Sequence, residues 1–482
     1  MPESYTGPGV FKRFLLGALL IVFASASATA VAAWHEVDKV VQAFKGTQHI
    51  AGIDSVIDIA DAGKPQTILL MGSDRRSRKA IDYRTGLIGK PRSDTMILMR
   101  LDPHKEATAL LSLPRDLKVE IPGHGADKLN AAYSEGGARL TVRTIKRLTG
   151  LHINHVINVD FHGFGKAVNA LGCVFVDVDR RYYNQGNAYA KIDISPGYQR
   201  LCGQDALAYV RFRHEDNDLV RAARQQDFLR QVKQQVGAFG LIQRRNKLLH
   251  IFSHYTSSDL DSRSGILRLL KLAIASASHP VQEVHFRGKI GPSYVTARPS
   301  VVRRVVKQFL GVKASSGPSA VVQPRGRRAR RKARIQGARL EDARAFGKEQ
   351  ALQVINERPR VFPIWFPTRR VQGALFAGPP RVYQIETRDG RRYSSYRMIV
   401  KKGLVGEYYG LQGTTYRSAP ILKGPSESRR IRGRRFKIHY DGSRIRLIAW
   451  ESKKAVFWVS NTLGLSLSNS QMLAIAASTR HL

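Results

Sequence analysis

Three short, nearly unbroken apolar runs constrain this chain more than any other feature. Thr67 to Met71, Thr95 to Leu101 and Ala107 to Leu113 lack the in–out alternation of a half-solvated strand. Such runs belong to strands covered on both faces, and their lengths suit strands better than helices. Helical spacing takes over between Ala126 and Gly150, where Leu129, Ala132, Tyr133, Leu140, Ile145 and Leu148 mark one face. Strand patterns at Val156 to Val159 and Val174 to Val178 flank a helix at Phe164 to Leu171. Further helices follow at Gln204 to Tyr209, Gln225 to Val236, Gly240 to Phe252, Ser264 to Ser276 and Ser300 to Leu310. Strands interleaved with helices predict an α/β fold, an α-β-α sandwich around a mixed central sheet.

The polar residues at the strand ends carry the chemistry. Asp74 follows the first run, Arg92 and Asp94 precede the second, and Arg115 and Asp116 follow the third. Ligands of open α/β sheets gather at strand ends. Carboxylates so placed can hold Mg²⁺, and arginines can take the phosphates that the ion bridges. The stretch RFRHEDNDLVRAARQ (211–225) adds Arg211 and Arg213 as an alternating pair, then Asp218, Arg221, Arg224 and Gln225 on one helix face. Guanidinium groups this close repel unless an anion sits among them, and their planar forks suit phosphate oxygens. The competing reading is an Asp/Arg ion-pair lattice on a solvated face. Asp116 is equally a turn residue, and Lys128 is either a phosphate contact or a helix-start lysine. The histidines form no spaced ligand set, and neither a nucleotide-binding glycine signature nor a serine elbow is present.

Composition bounds the partners. A formal charge of +42 over 482 residues calls for a polyanionic partner: nucleic acid, anionic lipid or an anionic wall polymer. Phe14 to Ala33 carries no charged side chain and follows Lys12 and Arg13 after a short cytoplasmic start (1–13). This predicts a transmembrane helix at 14–33, a single-pass location in the cell membrane, a juxtamembrane stalk at 34–64 and an extracytoplasmic catalytic domain. A cleaved signal peptide is the alternative, given the small residues from Ala24 to Ala33. Either reading exports the rest of the chain and makes nucleic acid a poor partner. Outside the cytoplasm Cys173 and Cys202, the two cysteines, are free to form a disulfide, with two separate buried thiols as the alternative. Ser315, Gly317, Pro318 and Pro324 open a basic linker (314–349) in which seven of the ten residues 325–334 are Arg or Lys. Residues 350–482 read as a smaller, basic α+β domain suited to contact with an anionic envelope.

The phrases LLMGSD (69–74), RSDTMIL (92–98), LSLPRDLKVEIPG (111–123), KLNAAYSEGG (128–137), VDFHGF (159–164) and RFRHEDNDLVRAARQ (211–225) together resemble the LytR-CpsA-Psr family of cell-wall ligases. The resemblance covers roughly Pro65 to Gly311, within the expected catalytic domain at 65–313. It implies transfer of a phosphate-linked glycopolymer, such as teichoic acid, capsular polysaccharide or arabinogalactan, from a polyprenyl pyrophosphate carrier to peptidoglycan. Asp74 and Asp94 match the family's Mg²⁺-associated carboxylates, and Arg92, Arg115, Arg211, Arg213, Arg221 and Arg224 its pyrophosphate-binding arginines, with Gln225 closing the motif. Catalytic roles are expected for Asp94, Arg115 and Arg221, and substrate binding for Arg92, Lys128, Arg211, Arg213, Arg224 and Gln225. The chain departs from the family at Gly172-Cys173, where paired glycines are common, a change consistent with a disulfide to Cys202. The alternatives are a non-catalytic protein that binds polyprenyl pyrophosphate or wall polymer, and a pyrophosphatase acting on the same donor.

Overall fold

A computed structural model describes residues 38–73, 93–312 and 339–482, apart from short interruptions at 44, 62, 106, 187–190, 213–217, 277–278, 280, 287, 358–361 and 404–406. The apolar runs become β2 (Gln66–Ser73), β3 (Ser93–Asp102) and β4 (Ala107–Ser112). They lie in a seven-stranded sheet with β1 (Gln48–His49), β7 (His155–Asp160), β12 (Thr256–Ser258) and β13 (Val281–Val284), in the order β1-β12-β7-β2-β3-β4-β13. The sheet is mixed: β2 runs antiparallel to β3 but parallel to β7, and β4 runs parallel to β13.

Helices cover both faces, which is why the central strands need no polar side. Leu69, Met71, Met96, Leu98 and Leu111 face Leu129, Ala132, Val142 and Ile145 of α1 (Leu129–Thr149) and Val302, Val305 and Phe309 further on. The intervening Ile68 and Leu101 face the opposite way, onto Leu260, Ile266, Leu269 and Leu272. Burying each such side chain is worth about 1.5–3 kcal/mol, so a polar residue at any of these positions is costly. A hairpin of β5 (Lys118–Ile121) and β6 (Gly125–Lys128) precedes α1. The helix therefore begins at Leu129 and not at Ala126.

After β7 come α2 (Phe161–Leu171), β8 (Val174–Val178), the pair β9 (Tyr182–Asn184) and β10 (Ile192–Ile194), and β11 (Gly197–Leu201). Next are α3 (Gly203–Arg211), α4 (Asp218–Gln243), α5 (Arg245–Tyr255) and α6 (Arg263–Ala275). A short hairpin of β14 (Lys289–Ile290) and β15 (Val295–Thr296) leads into α7 (Pro299–Leu310). Cys173 and Cys202 are disulfide-bonded, tying the start of β8 to the residue that opens α3.

The expectation of a transmembrane helix at 14–33, and with it of a single-pass cell-membrane location, is corrected. Among the described residues no helix is long and apolar enough to cross a membrane, and the 14–33 stretch itself lies outside them. The longest of the described helices, α4, has the length at 26 residues but carries Arg221, Arg224, Arg230 and Lys233 along it.

Residues 339–482 form the expected smaller α+β unit, with an eight-stranded antiparallel sheet and short helices. The unit docks firmly on the first. Phe175 and Tyr198 pack with Tyr383, Ile385 and Trp458. Asp177 on β8 takes Arg397, fully buried, at 3.1 Å and accepts a bond from the Trp458 indole at 3.3 Å.

Candidate active site

One end of the central sheet collects the strand-end residues. Ser73, the last residue of β2, pairs with Ser93, the first of β3, across a bulge at Gly72/Ser73, and with Asp160 at the end of β7. The chain leaving β4 passes the same end: the Leu113 amide donates to the Met96 carbonyl, and Arg115 lies two residues on. The sequence alone thus places Asp74 and Asp94 directly after two paired residues. Asp74, Arg92 and Arg213 lie outside the described residues, and of Asp94 only the backbone is described.

Helix α4 is fixed across this end by its own polar side chains. The Gln225 amide donates to Thr95 Oγ1 at 2.9 Å and to the Val210 carbonyl at 3.2 Å. It therefore joins α4 to the residue after Asp94 and to the last turn of α3. Arg224 is fully buried and donates to the carbonyls of Tyr209 (2.7 Å) and Phe212 (3.0 Å), with its guanidinium over the Tyr182 ring at 4.7 Å. Its Nη1 caps carbonyls at the end of α3, where helix acceptors lack partners. The structure thus uses Arg224 to position α3. Arg221 is buried as well. Arg211 closes α3 with its guanidinium 3.9 Å from the centroid of Phe161, the first residue of α2. Asp160 caps α2 by accepting from the Gly163 amide at 2.6 Å.

A second group stands on the loop after β4. Arg115 is buried, its Nε 3.7 Å from Asp116, and Lys128 Nζ lies 3.1 Å from the other Asp116 oxygen. The Asn130 amide donates to the Arg115 carbonyl, so the β5–β6 hairpin and the start of α1 are locked to this loop. Asp116 is therefore a partner that aims Lys128, an option the sequence left open between turn and site. Phe161, Thr95 and Tyr182 escaped the sequence reading. Phe161, inside VDFHGF, and Thr95, inside RSDTMIL, carried a signal that could have found them; Tyr182 did not.

Away from the sheet end, Glu283, His285 and Asp441 bring ligand atoms within 4.8 Å of one another. They are not a convincing metal centre. Arg230 lies 3.1 Å from Glu283 and 3.8 Å from Asp441, and the charge of Arg446 acts on the same carboxylates. Two guanidinium groups already supply the compensating charge, and the cluster belongs to the seam between the two units.

The LytR_cpsA_psr family model matches residues 23–313. The polyisoprenyl-teichoic acid–peptidoglycan teichoic acid transferase TagU of Oceanobacillus iheyensis is 30% identical over 254 residues, 51% of this chain and 75% of that one. The TagT transferase of Bacillus subtilis is 35% identical over 173 residues, 35% of this chain and 52% of that one. The crystal structure of B. subtilis TagV is 27% identical and covers 52% of this chain and 97% of that one, with a TM-score of 0.41. The chain belongs to the LytR-CpsA-Psr family.

Proposed function

We propose that the chain transfers a phosphate-linked glycopolymer from a polyprenyl pyrophosphate carrier to peptidoglycan, using Mg²⁺. Family membership supports transferase chemistry, and the names of the relatives supply the teichoic acid version of the reaction. The observation that carries the proposal is the convergence of α4, the end of α3 and the loop after β4 on the sheet end that holds position 94. The guanidinium groups gathered there give that end of the sheet a positive charge suited to a pyrophosphate.

Oxygen donors from two aspartates suit a hard divalent cation. Asp74 and Asp94 follow residues that pair across β2 and β3, so they are the residues to hold it. The ion would supply charge neutralisation on the pyrophosphate oxygens. The chain's own groups do the rest. Arg115, Arg211 and Arg221 draw the pyrophosphate into line, while Arg224 and Gln225 hold the helices that carry two of them. Lys128, aimed by Asp116, neutralises a further oxygen. A sugar hydroxyl of peptidoglycan then attacks the phosphorus nearer the glycan. Its new P–O bond forms as the bond to the bridging oxygen breaks, polyprenyl phosphate leaves, and the hydroxyl proton passes to the carboxylate oxygen of Asp94 that is not committed to the ion.

The second unit is read as contacting the anionic envelope. Its strand Glu427–Ile431 pairs with Arg434–Asp441 so that the exposed Arg430 stands directly opposite the exposed Arg435. Like charges in that position are unfavourable without an anion between them.

The test is incubation of the full chain with a polyprenyl-pyrophosphate-linked teichoic acid donor and peptidoglycan oligomers, with and without Mg²⁺. Covalent polymer–peptidoglycan product, dependent on the ion, is the expected result. Donor binding without any product would overturn the proposal.

A further inference from the structure

A cleft of about 330 Å³ opens beside the second group of site residues, between β5, the last turn of α1 and the first turn of α7. Its rim carries Lys118, Arg147 and Arg303 against one carboxylate, Glu120, and its floor is apolar, with Leu148 and Val302. Arg147 and Arg303 are exposed. The volume is at the low end of the roughly 300–1,000 Å³ of ligand pockets. Helix α7 opens toward the cleft at Pro299 with no side-chain cap and no acidic residue in its first turn, which leaves its positive end uncompensated.

One aromatic ring links a lysine of the cleft to a lysine of the site. Lys118 and Lys128 are paired directly opposite one another in the β5–β6 hairpin, a like-charge arrangement that costs stability on its own. Both ammonium groups lie over the ring of Tyr294, at 5.5 and 5.7 Å from its centroid. Lys118 also lines the cleft, and Lys128 reaches Asp116 at 3.1 Å. The tyrosine is held at that place by its own hairpin: the Val295 amide donates to the Asp116 carbonyl, and Leu117 bridges to Val295. Two ammonium groups held over one part-exposed tyrosine ring are suited to a saccharide that bears an anionic group, its charge between the ammonium groups and its sugar ring against the exposed edge of the tyrosine.

We infer that Tyr294, Lys118, Arg147 and Arg303 form a subsite for an anionic saccharide, a glycan segment bearing phosphate or carboxylate that extends from the reacting centre into this cleft. The inference rests on the proposed transfer reaction and names which surface takes the sugar portion. The segment comes either from the donor polymer or from the peptidoglycan acceptor, and kinetics separate the two.

The experiment uses the full chain and three variants: Arg147→Glu/Arg303→Glu, Tyr294→Ala and Tyr294→Phe. KM is measured separately for a teichoic acid donor and for peptidoglycan oligomers, with melting temperature as the folding check. The charge-reversed double variant and Tyr294→Ala should raise the KM of one substrate about tenfold, the size of one lost charge-assisted contact. Their kcat and the other KM should hold, and Tyr294→Phe should behave as wild type. The substrate whose KM moves is the one that occupies the cleft. Equilibrium binding of a glycerol-phosphate oligomer and of a muramyl disaccharide-peptide supplies a readout independent of turnover. Should the wild type bind one of them without transfer, and the variants bind it more weakly, the subsite stands and the reaction falls. Unchanged KM and unchanged binding in the folded double variant would overturn the inference.

Discussion

Replacing Arg224 by alanine separates positioning from direct phosphate contact. The side chain is fully buried and donates two charge-assisted bonds to the carbonyls of Tyr209 and Phe212, at 2.7 and 3.0 Å. Hydrogen bonds to charged groups contribute about 1.5–3 kcal/mol each. The substitution also opens a cavity beneath Tyr182 and strips the end of α3 of its cap. A loss of about 3–5 kcal/mol follows, in the range seen when a buried charged network is broken. For a domain of this size each kcal/mol moves the melting temperature by roughly 2–4 °C, so calorimetry should record a fall of the order of 10 °C. Donor turnover should fall as well, because Arg211 at the end of α3 loses its register over Phe161. An Arg224→Ala protein that melts within 2 °C of wild type would refute the positioning role. Loss of turnover in such a protein would return Arg224 to direct contact with substrate.

Other perturbations test the rest of the account. Asp177→Ala leaves Arg397 buried without its carboxylate, costing about 3–5 kcal/mol, and the calorimetric transition should drop and split into two; a single unshifted transition contradicts firm docking. Burial, followed by the charges of Arg446, Lys437 and Arg230, pushes the pKa of His439 down to about 3. Its contribution is therefore present above the ordinary histidine value and lost as pH falls from about 6.5 toward 3, at up to about 1.4 kcal/mol per pH unit. His439→Gln should flatten that part of the stability profile, and an identical slope in the variant rejects the assignment. Reduction of Cys173–Cys202, which closes a loop with a sequence separation of 29, should cost about 3–4 kcal/mol, read as a lower denaturant midpoint; an unchanged midpoint contradicts it.

The parts of the fold legible in the sequence are those where one physical demand dominates. Strands β2, β3 and β4 were readable because Ile68 and Leu69 point to opposite faces and both faces are covered. The helix that carries Arg221, Arg224 and Gln225 was readable because these residues recur at helical spacing after Asp218. Strand β12 was not, since Thr256–Ser258 is three small polar residues whose pairing with β7 is set by the sheet alone. The β5–β6 hairpin was hidden by a helical pattern that begins at its last strand. Arg224 shows the deeper limit. Sequence identifies a guanidinium but not whether it faces a ligand or a carbonyl, and here the end of α3 decides. The seam between the units, where Arg230 meets Glu283 and Asp441, joins residues far apart in the chain, with no local pattern to announce it.

The central claim is that the phosphorus nearer the glycan moves from carrier to wall. A donor carrying ³²P at that position, mixed with the full chain, peptidoglycan oligomers and Mg²⁺, follows the atom itself. The account predicts label in a phosphodiester on peptidoglycan, with unlabelled polyprenyl phosphate released in equal amount. Label recovered as free glycan phosphate would mean that water, not a sugar hydroxyl, attacks, and label that never leaves the carrier would mean that the protein binds the donor without turning it over.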